Sequence, residues 1–146
     1  PQTLGVALND SPAGLAAWIV EKYRAWSDCG GDVESVFPRD VLLAGITAYW
    51  VTGSITSSIR LYYESMRAGM FGPPTEYVAA PTGVAVFPQE IFSPPRSWAE
   101  QHYNITRWTE YPAGGHFAAL ERPNELVAEI RAFFRELRRP ASRDRH

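Results

Sequence analysis

Apolar residues fall at helical spacing through the first half of the chain and in short continuous runs through the second. Leu15, Trp18, Ile19, Tyr23 and Trp26 share one face of a helix. Its start is Asn9-Asp10-Ser11-Pro12, where a capping side chain precedes a proline whose missing N–H costs nothing. Cys29-Gly30-Gly31-Asp32 breaks the helix just past Asp28 and reads as a turn. The pattern returns over 41–50 with Leu42, Leu43, Ile46, Tyr49 and Trp50, and Gly53 supplies the stop. A third helix is predicted over about 54–67, striped by Ile55, Ile59, Tyr62 and Met66.

After Gly69, Gly72, Pro73 and Pro74 the pattern changes, which sets a boundary near residue 70. The run Val84, Ala85, Val86 and Phe87 suits a parallel strand covered on both faces, and Pro88 ends it. Ser93 and Pro94 open a short helix to about residue 101, and 104–109, rich in β-branched and aromatic residues, reads as the next strand. Pro123 opens a last helix with Leu126, Ile130, Phe133, Phe134 and Leu137 at helical spacing; Pro140 closes it, and disorder is expected from residue 141. Strand, helix, strand, helix is the grammar of an α/β sheet with right-handed crossovers. Two strands do not make a stable open sheet, so the other strands are expected from upstream residues or a partner.

With 146 residues, 45% of them hydrophobic and 21% charged, the chain has the composition of one globular domain. A net charge of −2 and the lack of a basic run interleaved with aromatics argue against nucleic acid as a partner. Basic residues gather late, at Arg131, Arg135, Arg138, Arg139, Arg143 and Arg145, as on a solvated helix face and a frayed end. Cys29 is the only cysteine, which excludes an internal disulfide and a thiolate zinc site and fits a reducing, cytoplasmic compartment. No apolar stretch approaches the roughly 18 residues of a membrane-spanning helix. The chain opens Pro1-Gln2-Thr3 with no initiator methionine and no signal-like region, so it is expected to begin inside a longer protein.

The chemistry concentrates at Gly114-Gly115-His116, a glycine loop that carries an imidazole between a strand and a helix. Adjacent glycines let the backbone come close to a substrate, and Phe117, Ala118, Ala119 and Leu120 can root the loop in the core. A general base needs an acceptor on its other ring nitrogen, best a carboxylate. Glu90 lies just past the first strand, and parallel neighbours bring their C-terminal ends to one edge of the sheet, where its loop should meet that of His116. Glu76, Glu110 and Glu121 are rivals, with Glu121 better suited to a surface ion pair with Arg122 or a helix-start charge. A loop histidine bonded to a carbonyl and a solvated Glu90 are the plainer alternatives. His102 is expected to cap its helix or face solvent, and it makes no metal pair with His116 at helical or hairpin spacing. Acid before histidine is the α/β-hydrolase order, but no Gly-x-Ser-x-Gly elbow exists in this chain.

Four segments then become specific. Leu8-Asn9-Asp10-Ser11-Pro12-Ala13-Gly14-Leu15-Ala16-Ala17-Trp18-Ile19, Tyr49-Trp50-Val51-Thr52-Gly53-Ser54-Ile55, Pro81-Thr82-Gly83-Val84-Ala85-Val86-Phe87-Pro88-Gln89-Glu90 and Gly114-Gly115-His116-Phe117-Ala118-Ala119-Leu120-Glu121-Arg122-Pro123 together resemble, in order, the C-terminal part of microsomal-type epoxide hydrolases. The resemblance implies an α/β-hydrolase portion: a helical cap, or lid, at 1–70, the C-terminal part of the core at 71–140, and a tail at 141–146. It makes His116 the base that activates water, Glu90 its acid, and Tyr62 one of two cap tyrosines that donate to the epoxide oxygen, with Tyr63 as the neighbouring alternative. From spacing alone Tyr62 reads as core or as a pocket wall. Trp26, Trp50 and Trp98 read as core, or as the lining of an apolar pocket.

The implied reaction turns a small apolar epoxide and water into a vicinal diol through an aspartyl ester, with no metal or organic cofactor and with homo-oligomers allowed. The nucleophile, the oxyanion loop and the second tyrosine are expected upstream, so the chain alone is expected to be inactive. A serine esterase, a haloalkane dehalogenase, or a noncatalytic fragment or binding module are the alternatives.

Overall fold

A computed structural model describes residues 1–138. The expected tail from residue 141, the helix stop at Pro140, and Arg139, Arg143 and Arg145 lie outside the described residues. Four helices come first: α1 (Gln2–Asp10), α2 (Pro12–Trp26), α3 (Arg39–Thr52) and α4 (Ile55–Arg67), with a 3₁₀ turn at Val33–Ser35. The remainder runs β1 (Val78–Val86), α5 (Arg96–Ala99), β2 (Tyr103–Glu110), α6 (Ala118–Glu121) and α7 (Pro123–Leu137).

Helix α1 was not expected. Asn9 and Asp10 close it, and Ser11 alone is the hinge, in extended conformation, with its Oγ accepting the Gly14 N–H at 3.0 Å to cap α2. Gly5 lets α1 pack closely on α4, since a Cβ there would lie 2.6 Å from Thr56 Oγ1. Asn9 Nδ2 donates to the same oxygen at 2.7 Å. At the end of α3, Gly53 adopts φ of 60°, and its N–H and that of Ser54 turn back to Trp50 and Tyr49. Leu8, Leu15, Ile46 and Ile55 form the buried core of these helices, flanked by Leu4, Trp18, Ile19 and Ile59. Burying side chains of this kind contributes about 1.5–3 kcal/mol each. The α4 stripe is only half used: Ile55 is buried, whereas Tyr62 and Met66 are exposed.

The two strands pair in parallel, with Val84 opposite Trp108 and Val86 opposite Glu110. Val84, Ala85 and Val86 are half-buried instead of covered on both faces, and Phe87 is the buried member of the run. The short helix begins at Arg96, later than Ser93 suggested, because Pro95 is its N-cap. On α7, Ile130, Phe134 and Leu137 are exposed, and Phe133 meets the sheet at Gly83, where a Cβ would lie 2.8 Å from its ring.

The buried residue of α7 is an acid. Glu129 accepts from Arg107 (2.5 and 2.9 Å), from Thr109 Oγ1 (3.0 Å) and from Tyr111 Oη (3.1 Å), which joins helix to strand. The Arg107 bond, opposed by burial and helped by the two hydroxyls, holds the Glu129 carboxyl below its ordinary value, while burial and then the Glu129 bond push the Tyr111 phenol up. A carboxyl lowered on folding stabilises the fold fully above its unfolded pKa, near 4.5, and that contribution is lost as pH falls through the folded value. Glu129→Gln should therefore lower stability at neutral pH and flatten its decline below about pH 4.5, as read from urea melts across pH.

Candidate active site

The loops that leave the two strands stay paired beyond the sheet. Tyr111 N–H donates to Val86 O at 2.9 Å, Gln89 N–H donates to Gly114 O at 3.0 Å, and Gln89 bridges Gly115 in parallel. That extension carries Glu90 and His116 to the same edge, where His116 Nδ1 lies 2.7 Å from Glu90 Oε1. Oε1 also accepts the Ile91 N–H at 2.7 Å, which fixes the carboxylate. With the carboxylate ionised, Nδ1–H donates and Nε2 is left as the basic nitrogen. Both side chains keep a path to solvent, at 40% and 35% exposure.

Two glycines make this approach possible. Gly114 has φ of 111°, and a Cβ there would sit 2.8 Å from the Phe87 ring. At Gly115 a Cβ would meet Trp26 O at 2.7 Å. The loop is therefore wedged between β1 and the end of α2. His116 N–H donates to Trp26 O at 2.9 Å, and the Trp26 ring stands edge-on to the imidazole at 5.4 Å. Phe117 stacks on Tyr23 at 4.4 Å, while Leu120, expected in the core, is half exposed.

The rival carboxylates are otherwise engaged or remote. Glu76 is exposed, Glu110 accepts from Trp108 Nε1 at 3.0 Å, and Glu121 makes no ion pair with Arg122 among the described residues. Instead, Glu121 accepts the Asp28 N–H at 2.8 Å and the Phe117 N–H at 2.9 Å, and Asp28 in turn accepts the Gly114 N–H at 2.8 Å. The bond to Phe117, the N-cap of α6, gives Glu121 the helix-start role that its place in the sequence offered. Its bond to Asp28, and the Asp28–Gly114 bond, join distant segments and carry no signal in the sequence.

A cleft of about 460 Å³ opens beside the histidine loop, walled by Trp18, Tyr23, Trp26, Ile59, Tyr62 and Phe117. Tyr62 reaches it from α4 as an exposed wall residue instead of core, whereas Tyr63 Oη accepts from Arg67 Nη1 at 2.8 Å. Of the tryptophans weighed as core or lining, Trp26 lines this cleft, while Trp50 and Trp98 are exposed and line no part of it. His102 sits in the turn after α5, where its carbonyl accepts the Val78 N–H at 2.8 Å. Among the described residues, no three His, Cys, Asp or Glu side chains cluster as metal ligands, and no helix is long and apolar enough to cross a membrane.

No family model matches the chain. Among curated proteins it is 46% identical over 139 residues to a putative epoxide hydrolase of Stigmatella aurantiaca, covering 94% of this chain and 31% of that protein. It is 42% identical over 142 residues to epoxide hydrolase 1 of Sus scrofa, covering 91% and 31%. Among solved structures, juvenile hormone epoxide hydrolase of the silkworm Bombyx mori superposes with a TM-score of 0.83 at 31% identity, covering 94% of this chain and 37% of that one. The chain thus carries the fold of a portion of an α/β-hydrolase, and it is similar to epoxide hydrolases. It spans about a third of the length of the curated relatives it matches.

Proposed function

We propose that these residues supply the water-activating half of an epoxide hydrolase, whose nucleophile lies outside this chain. The observation that carries the reading is the 2.7 Å Glu90–His116 pair at the mouth of two parallel-strand loops, next to an apolar cleft walled by Tyr62. In this reading an aspartate attacks an epoxide carbon while the Tyr62 hydroxyl hydrogen-bonds the departing oxygen and gives it a proton, which leaves a hydroxyalkyl ester. His116 Nε2 then takes a proton from water as that water attacks the ester carbonyl. Glu90 steadies the imidazolium, which gives its proton to the diol oxygen expelled as the tetrahedral intermediate collapses; the proton left on the aspartyl group returns to the Tyr62 phenolate, so the diol is freed and aspartate, tyrosine and histidine are restored. The cleft favours a small apolar epoxide.

The test is diol formation from styrene oxide by the full-length protein. Tyr62→Phe should slow ester formation by about tenfold to a hundredfold, as expected for a lost donor to a developing oxyanion, and leave ester hydrolysis unchanged in rapid-quench measurements. Absence of diol from the wild-type protein would overturn the proposal.

A further inference from the structure

We infer that Asp28 and Glu121 are positioning residues for His116, acting as a two-carboxylate clasp that holds the histidine loop against the end of α2. The inference rests on His116 being the water-activating base. Asp28 leaves α2 and accepts the Gly114 N–H at 2.8 Å; Glu121 leaves α6 and accepts the Asp28 N–H at 2.8 Å and the Phe117 N–H at 2.9 Å. Each segment thus lends an acid to the other's backbone, and the bonds fall on both sides of His116, whose own N–H is held by Trp26 O at 2.9 Å. Hydrogen bonds of backbone N–H groups to ionised carboxylates are among the stronger ones, and both acids are half-buried.

Gly114 and Gly115 carry no side chain to pack, so the clasp does for this loop what a side chain does elsewhere. It also sets the imidazole from the cap side, since Trp26 both walls the cleft and binds the histidine backbone. Neither acid contacts the imidazole among the described hydrogen bonds, so each acts through the backbone of the loop.

The two half-reactions separate such a role from a general loss of stability. Ester formation depends on the nucleophile and the tyrosines, whereas ester hydrolysis depends on where His116 stands. In rapid-quench experiments on the full-length protein with styrene oxide, the double variant Asp28→Ala/Glu121→Ala should form ester within about twofold of the wild-type rate and hydrolyse it about tenfold to a hundredfold more slowly, the scale of a displacement near 1 Å. Asp28→Asn, which keeps an acceptor oxygen for Gly114 N–H, should hydrolyse it within about threefold of wild type, because the loop keeps its place. Equal slowing of both steps, or unchanged hydrolysis, overturns the inference.

His116→Gln run beside them isolates the parent reading, because failure of that variant to trap ester removes the base assignment and says nothing against the clasp. Amide exchange in the full-length protein, without substrate, reads the clasp without catalysis. Asp28→Ala should speed exchange at Gly114 by about tenfold or more, as the loss of a charge-assisted bond implies; unchanged protection contradicts it.

Discussion

With His116 replaced by glutamine, the full-length protein should open an epoxide once and then stop. Ring opening draws on the nucleophile, the strain of the epoxide and the tyrosine hydroxyls, none of which the substitution touches. Hydrolysis of the ester draws on a base beside the bound water, and glutamine is none. Steady-state turnover should fall by about 10²–10⁴-fold, the usual worth of a positioned general base. Intact-protein mass spectrometry should show a gain equal to one substrate molecule. Gly114, Gly115 and the clasp do not depend on the imidazole, because the loop is held through its backbone, so the variant should keep its fold. Rapid turnover by this variant would remove His116 from the role of base.

Glu90→Gln should have the second-largest effect. The substitution keeps the shape and an oxygen that can accept the Ile91 N–H, but it removes the charge that stabilises the imidazolium and selects the tautomer with Nδ1–H. Because the pair is partly open to water, solvent replaces some of the lost stabilisation. The expected fall is about tenfold to a thousandfold, smaller than for His116, with ester accumulating during turnover. The comparison is Glu110→Gln, which removes an acceptor of the Trp108 indole and should leave turnover near wild type. The reverse ranking would move the acid from Glu90 to Glu110.

Much of this arrangement was legible in the residues before any coordinates. The capped proline at Ser11-Pro12 and the stop at Gly53 are local signals set by backbone geometry, and both stand where the pattern put them. The meeting of the Glu90 and His116 loops follows from topology, since parallel strands share their C-terminal edge. What escaped depended on contacts between distant segments. Helix α1 is short, and its closing Asn9-Asp10 was absorbed into the start signal of the next helix. Glu129 sits among apolar neighbours on a helically spaced stripe, and only the position of Arg107 on β2 explains why the acid is the buried residue while Ile130 is exposed. The Asp28–Gly114 bond spans 86 residues, and no periodicity encodes it. Tyr62 shows the limit of a stripe: its spacing is the same in a core and in a cleft wall, and burial alone tells them apart.

In the proposed mechanism, water activated by His116 attacks an enzyme ester and not the epoxide. A single turnover in H₂¹⁸O, with protein in excess over styrene oxide, separates the two. The diol oxygen gained on ring opening should come from the protein, so the first diol released should be unlabelled and the ¹⁸O should appear in a carboxylate of the protein. Label in the diol from that first turnover would contradict the account, because water would then have opened the epoxide itself.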